Sequence, residues 1–222
     1  IPHPDTYTGN EGLREAVRRF LYDSLSSPSG ELLLYSDQNM SWMTEDPEFF
    51  AEWKALMLGN LKNNTKITII HNIARDLKEM EQAITGWLPL YMTGMIHPYY
   101  MDRPSVPSYF SHTLFINPGS AAIEGLAVTG SEENVQYHYH EEPSSLERLR
   151  EAYLHLLRKT SPLIDFSDDP FAGKDISIFE YEDVRIGITE DAVYVNHAGA
   201  DKAIGFRHPL MVSAFQSFAG RL

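Results

Sequence analysis

Two short hydrophobic runs, the continuous Leu32-Leu33-Leu34-Tyr35 and the β-branched Ile67-Thr68-Ile69-Ile70, constrain this chain more than any other feature of its sequence. Each is too short for a helix and lacks the alternation of a strand with one wet face. Such runs read as strands covered on both faces, the usual state of parallel strands with helices above and below. The first run closes on Ser36-Asp37-Gln38 and the second on His71-Asn72. Helical spacing brackets them. Leu13, Val17, Phe20, Leu21 and Leu25 form an apolar stripe that Ser27-Pro28-Ser29-Gly30 ends. Between the runs, Asp46 and Pro47 are the cap and first-turn residues of a helix with Phe50, Trp53, Leu56, Met57 and Leu61 on its buried side. A third helix is expected over 75–86. Strand–helix alternation in this order calls for parallel crossovers.

Beyond residue 87 the pattern changes. Residues 88–100 are rich in β-formers, 101–108 read as an exposed loop, and 109–116, 121–128 and 135–139 read as further strands. A helix is expected over 143–157. Residues 165–173 (DFSDDPFAG) have the composition of a linker. After them come strand candidates at 176–179, 184–188 and 192–196, and a short helix over 209–218. The expected architecture is α/β, a mixed β-sheet flanked by helices over 11–163. A linker at 1–10 precedes it and a small α+β module over 174–222 follows.

Charge and composition narrow the function classes. The formal net charge of −13 repels a phosphate backbone and an anionic membrane surface alike. The chain has no cysteine, which excludes disulfides, thiolate metal sites and a cysteine nucleophile, and fits a reducing, cytoplasmic setting. No apolar run is long enough to cross a membrane as a helix. The chain opens Ile1-Pro2-His3-Pro4 without a methionine, as expected of a piece of a longer protein.

In open α/β sheets, ligands bind beyond the carboxyl ends of the strands. Ser36, Asp37, His71, Asn72 and Arg75 follow the two buried runs and are candidates to hold a small polar ligand there. Arg75 suits an anionic group, and Asp37 suits hydroxyls. The competing explanation is ordinary turn and surface chemistry. Tyr91, His97, Tyr99 and Tyr100 form an aromatic segment that serves either a ring-binding site or the core. His138 and His140 share one side of a strand, but nothing in the spacing supplies the third ligand a zinc site needs, so no metal or other cofactor is expected. Phosphate-loop and hydrolase-elbow signatures are absent.

One segment, Ser111-His112-Thr113-Leu114-Phe115-Ile116-Asn117-Pro118-Gly119, resembles the active strand of phospholipase-D-type half domains. That family carries His-x-Lys, an Asp five residues after the Lys, and a second strand ending near Gly-Ser. Here His112 stands at the His position, Leu114 at the Lys position and Gly119 at the Asp position. Gly125 has no following Ser. The order of elements over about 32–157 resembles one such half. Leucine supplies neither charge nor donor to a phosphoryl oxygen, so the resemblance implies a non-catalytic domain in which His112 contacts a ligand at most.

A half of this type followed by a small β-rich module resembles the effector regions of sugar-sensing transcription regulators of the TrmB type. LLLYSDQNMSWM, KITIIHNIARDLKEM, WLPLYMTGMIHPYY, HTLFINPGSAAIEG and AIGFRHPLMVSAF also resemble the C-terminal region of bacterial helix-turn-helix proteins. The resemblance implies a ligand-sensing domain, possible homodimerisation, and DNA contact only through a domain outside this chain. A divergent phosphodiesterase working as a dimer and a pure dimerisation or protein-interaction module are the two other classes kept open.

Overall fold

The computed structural model describes residues 3–26, 30–72, 77–101, 108–168, 171, 175–197, 200 and 202–222. Its centre is a parallel trio of strands, β2 (Glu31–Ser36), β3 (Lys66–His71) and β4 (Ile96–Tyr100), as the two apolar runs require. The crossovers carry helices. Between β2 and β3 lie α2 (Ser41–Thr44) and α3 (Pro47–Lys62), and between β3 and β4 lies α4 (Leu77–Tyr91). Asp46 caps α3 as its sequence requires, with its Oδ1 accepting from the Phe49 N–H at 2.9 Å.

Antiparallel strands extend the trio on both sides. β5 (Phe110–Asn117), β6 (Ala121–Val128) and β7 (Gln136–His140) add outward from β2, and β8 (Ser161–Pro162) pairs with β4. The far edge is β1 (Thr6–Thr8), paired antiparallel with β7. The full order is β1-β7-β6-β5-β2-β3-β4-β8, a mixed sheet flanked by helices. The segment expected as a linker at 1–10 is therefore structured in its described part, because Tyr7 is buried in the core and α1 (Gly9–Ser26) begins directly after β1.

The two faces of this sheet are covered differently. On one face α1 to α4 bury the apolar side chains of alternate strand residues, among them Leu32, Leu34, Ile67, Ile69 and Phe115. Ser24 and Asn60 join α1 to α3 inside this layer. The Ser24 hydroxyl donates to Asn60 Oδ1 at 2.7 Å, and the Asn60 amide donates to the Leu21 and Leu56 carbonyls. The other face holds a smaller cluster under α5 (Pro143–Leu157), built from Leu33, Tyr35, Ile70, Ile116 and the α5 residues Leu146 and Leu149. A Cβ at Gly125 would run into the ring of Tyr137, so only glycine lets that fully buried tyrosine lie flat on β6.

The second sheet is all antiparallel, ordered β10-β11-β12-β13-β9, from β9 (Ile164–Asp168), β10 (Ser177–Tyr181), β11 (Val184–Ile188), β12 (Val193–His197) and β13 (Lys202–Phe206). Described residues 165–168, expected as linker, instead belong to β9, which pairs with β13 along its whole length. Leu163 is the point where the chain leaves one sheet for the other. The closing helix α6 (Pro209–Ala219) packs its Met211, Val212 and Phe215 into the same continuous core as α4 and the inner face of the second sheet.

α4 runs five residues beyond the helix end expected at 86 and passes through Pro89, in a stretch that reads as β-forming. Pro89 is exposed, so the carbonyl that loses its helical partner can turn to water. The extension puts Trp87, Leu88 and Tyr91 on a helix face instead of a strand.

Candidate functional site

At the carboxyl ends of β2 and β3 the structure holds a cavity of about 110 Å³. Strand residues form its floor, with Leu34, Tyr35 and Ser36 from β2, Ile69, Ile70 and His71 from β3, and Phe115 from β5. Helices wall it. Trp42 comes from α2, Trp53 from α3, and Ile84, Trp87 and Tyr91 from α4. All three tryptophans of the chain are thus in the lining. The remaining side is closed from the second sheet by Phe206 and from α6 by Met211 and Phe215. The closing module therefore completes the site, a role the sequence left open.

The aromatic side chains hold one another in place. Trp53 meets Trp87 edge-on with ring centroids 4.8 Å apart, and Trp87 stacks on Tyr91 at 6.0 Å with 22° between the rings. His71 stands edge-on to both, at 5.1 and 6.0 Å. The Tyr91 hydroxyl lies 2.5 Å from His71 Nε2. Burial pushes the Tyr91 phenol well above its ordinary value, so it keeps its proton, and the direction of its hydrogen bond with His71 follows the imidazole tautomer.

A second polar chain reaches the cavity through the sheet. Gln38, 3% exposed, accepts at Oε1 from the Tyr137 hydroxyl at 2.9 Å and from the Thr113 hydroxyl at 3.1 Å. Thr113 Oγ1 in turn lies 2.9 Å from Ser36 Oγ on the cavity floor.

The six residues expected to form one site divide. Ser36, His71 and Asn72 line the cavity. Asp37 and His112 stand outside it and clasp each other through the backbone. Asp37 Oδ1 accepts from the His112 N–H at 2.6 Å, and the His112 carbonyl accepts from the Asp37 N–H at 3.1 Å. Asp37 Oδ2 also accepts from the Tyr35 hydroxyl at 2.9 Å, which makes this carboxylate a strand-end brace. His112 is exposed and shares strand parity with Leu114, which packs in the α5 cluster, so it belongs to the sheet face opposite the cavity. Arg75 lies outside the described residues.

The lining also departs from the expected polar character. Among the described lining residues none is Asp, Glu, Lys or Arg, and apolar and aromatic side chains make most of the wall. Of the aromatic segment read from the sequence, Tyr91 is in the lining, while Tyr100 meets His208 edge-on at 4.8 Å instead. His138 and His140 have ring centroids 6.3 Å apart, with His140 Nε2 3.3 Å from Glu124. Among the described residues no group of three or more His, Asp or Glu side chains could hold a metal ion.

No protein-family model matches the sequence, and no curated protein matches it. Among solved structures, the chain is similar to TrmBL2, an archaeal chromatin protein whose structure shows a novel mode of DNA binding. The identity is 10% and the TM-score 0.48, over 72% of this chain and 55% of that one. The chain thus spans little more than half of that protein's length. No helix among the described residues is long and apolar enough to cross a membrane.

Proposed function

We propose that this chain is a ligand-sensing, non-catalytic domain of a transcription regulator, and that its ligand enters the cavity at the ends of β2 and β3. The observation that carries the proposal is the cavity itself, which lies where open α/β sheets bind ligands and is rimmed by Ser36, His71 and Asn72. The apolar lining supports a ligand that is largely apolar and bears a polar edge, where the sequence reading expected a small polar molecule. Met211 and Phe215 of α6 close one side, so a guest that presses on them would favour one placement of α6 over another. That difference is what a ligand needs to shift a population. A DNA-binding domain elsewhere in the protein, as the sequence resemblance implies, would read the shift.

A thermal-shift screen of small aromatic and aliphatic compounds tests the site. Hits are expected to raise the melting temperature of the wild-type chain. They should leave Ala83→Leu unmoved, since Ala83 lines the cavity and the larger side chain fills it. Hits that stabilise both proteins equally place the ligand elsewhere and defeat the proposal.

The protein-interaction reading keeps one observation of its own. Phe110, Leu126 and Val128 are half exposed on neighbouring positions of β5 and β6, with Phe110 directly opposite Val128. A concentration-dependent dimer abolished by Leu126→Lys, together with an empty ligand screen, would favour that alternative.

A further inference from the structure

We infer that the cavity is a broad-specificity site for neutral aromatic molecules of differing shape, and that Met40, Met43, Met80 and Met211 let its wall refit to each guest. The inference rests on the cavity being the ligand site and goes further by naming the class of guest and the residues that set its breadth.

Three observations lead there. The first is where the methionines are. The described lining is about a tenth of the chain, yet it holds four of the eight methionines. They come from separate places: Met40 just before α2, Met43 in α2, Met80 in α4 and Met211 in α6. Met43, Met80 and Met211 are buried. A wall that only had to fill space would be served as well by leucine or isoleucine, whose branched side chains have well-defined rotamers. Methionine is unbranched, turns about three bonds, and its polarisable sulfur makes favourable contacts with rings. It is over-used on surfaces that bind many partners for that reason.

The second is what stands beside them. Trp53, Trp87 and Tyr91 hold one another edge-on and stacked. Part of the wall is therefore a fixed aromatic surface, and part is adaptable. A flat ring can lie on the first while the second closes over whatever differs between guests. The resting volume of about 110 Å³ is of the order of the engineered apolar cavities, ~150 Å³, that admit benzene. A guest larger than one ring needs side chains to move, and methionine is the lining side chain best suited to move. The third is charge. With no acidic or basic side chain among the described lining residues, an ionised guest would be desolvated without a counter-charge, which costs far more than an apolar wall returns.

Calorimetric titration of the intact chain with toluene, para-xylene, butylbenzene and naphthalene tests the inference, with benzoate and benzylammonium as charged counterparts. The neutral guests are expected to bind within about 10-fold of one another once their transfer from water is allowed for, and the ions at least about 10-fold more weakly. With isotope-labelled methionine methyls, the signals of Met40, Met43, Met80 and Met211 should shift differently for each guest. Met57, buried in the same core but outside the lining, should stay in place. The double variant Met80→Leu with Met211→Leu conserves volume, and is expected to spare toluene while weakening butylbenzene and naphthalene about 10-fold or more. The methionines merely fill space, and the inference is wrong, if the wild-type chain takes one neutral guest and rejects its near neighbours in shape. The same follows if the methionine signals move identically for every guest, or if the double variant weakens all guests equally. In each of those cases the cavity stands as a ligand site. Benzoate or benzylammonium binding as tightly as toluene overturns the neutral class. If no compound binds the wild-type chain, the cavity reading fails and the inference with it.

Discussion

Tyr153 shows how much one side chain can hold at the residue scale. It is fully buried under the sheet, and its hydroxyl lies 3.1 Å from the Leu34 carbonyl and 2.9 Å from that of Thr68, on adjacent parallel strands. Burial raises its phenol far above the ordinary value, so it remains a donor. Tyr153→Phe keeps the ring and removes the bond. The expected cost is about 1–3 kcal/mol with an unchanged denaturant slope, read from urea unfolding. The helix that carries it was legible from the sequence, but its bridge across two strands was not. Ser36 and His71, which line the cavity, were legible as strand-end residues because each closes a hydrophobic run. His112 was singled out by a motif resemblance, and strand parity then put it on the other face. A two-residue period fixes which residues share a side, but not which side faces a cavity.

At the scale of elements, α4 and α6 are joined by a polar clamp. Glu81 of α4 is nearly buried and paired with Arg221, just beyond the end of α6. Hydrogen bonds from Ser217 and then Arg221 hold its carboxyl below the ordinary glutamate value. A carboxylate depressed on folding adds stability that is complete above its unfolded value, near 4.3. That stability is lost as pH falls through the folded value. Acid should therefore loosen α6 from α4. Glu81→Gln is expected to lower stability at neutral pH and to remove up to one proton from the uptake on unfolding below about pH 4.5. A pH series of melts on both proteins measures this, and an identical acid limb in the two would refute it. The elements with strong signals were legible: the apolar strands, the capped α3, and α5 and α6 behind their prolines. Edge strands were not. β1 buries only Tyr7 and β9 buries none of its residues, so neither shows the apolar pattern that marks a strand. Their pairing comes from the ladder, supplied by β7 and β13.

Across the whole molecule, two sheets share one core. Phe206 and Phe215 belong to the same buried cluster as Leu34 and Trp53, although the chain changes sheet at Leu163. Phe215→Ala, expected to cost about 3–5 kcal/mol, should shift the unfolding of both sheets together instead of releasing the second alone. Coincident far- and near-ultraviolet transitions are the expected result, and a separate early transition would show two independent units. The mixed α/β sheet was legible in the sequence from strand–helix order. The cavity was not, since its last wall comes from α6, far along the chain from the strands it covers. The placement of Trp42, Trp53 and Trp87 around that cavity makes the protein its own optical probe. Every indole that emits does so from the cavity wall. A molecule entering there should quench or shift the entire tryptophan emission, whereas one docking on the outer face of either sheet should leave the spectrum as it was.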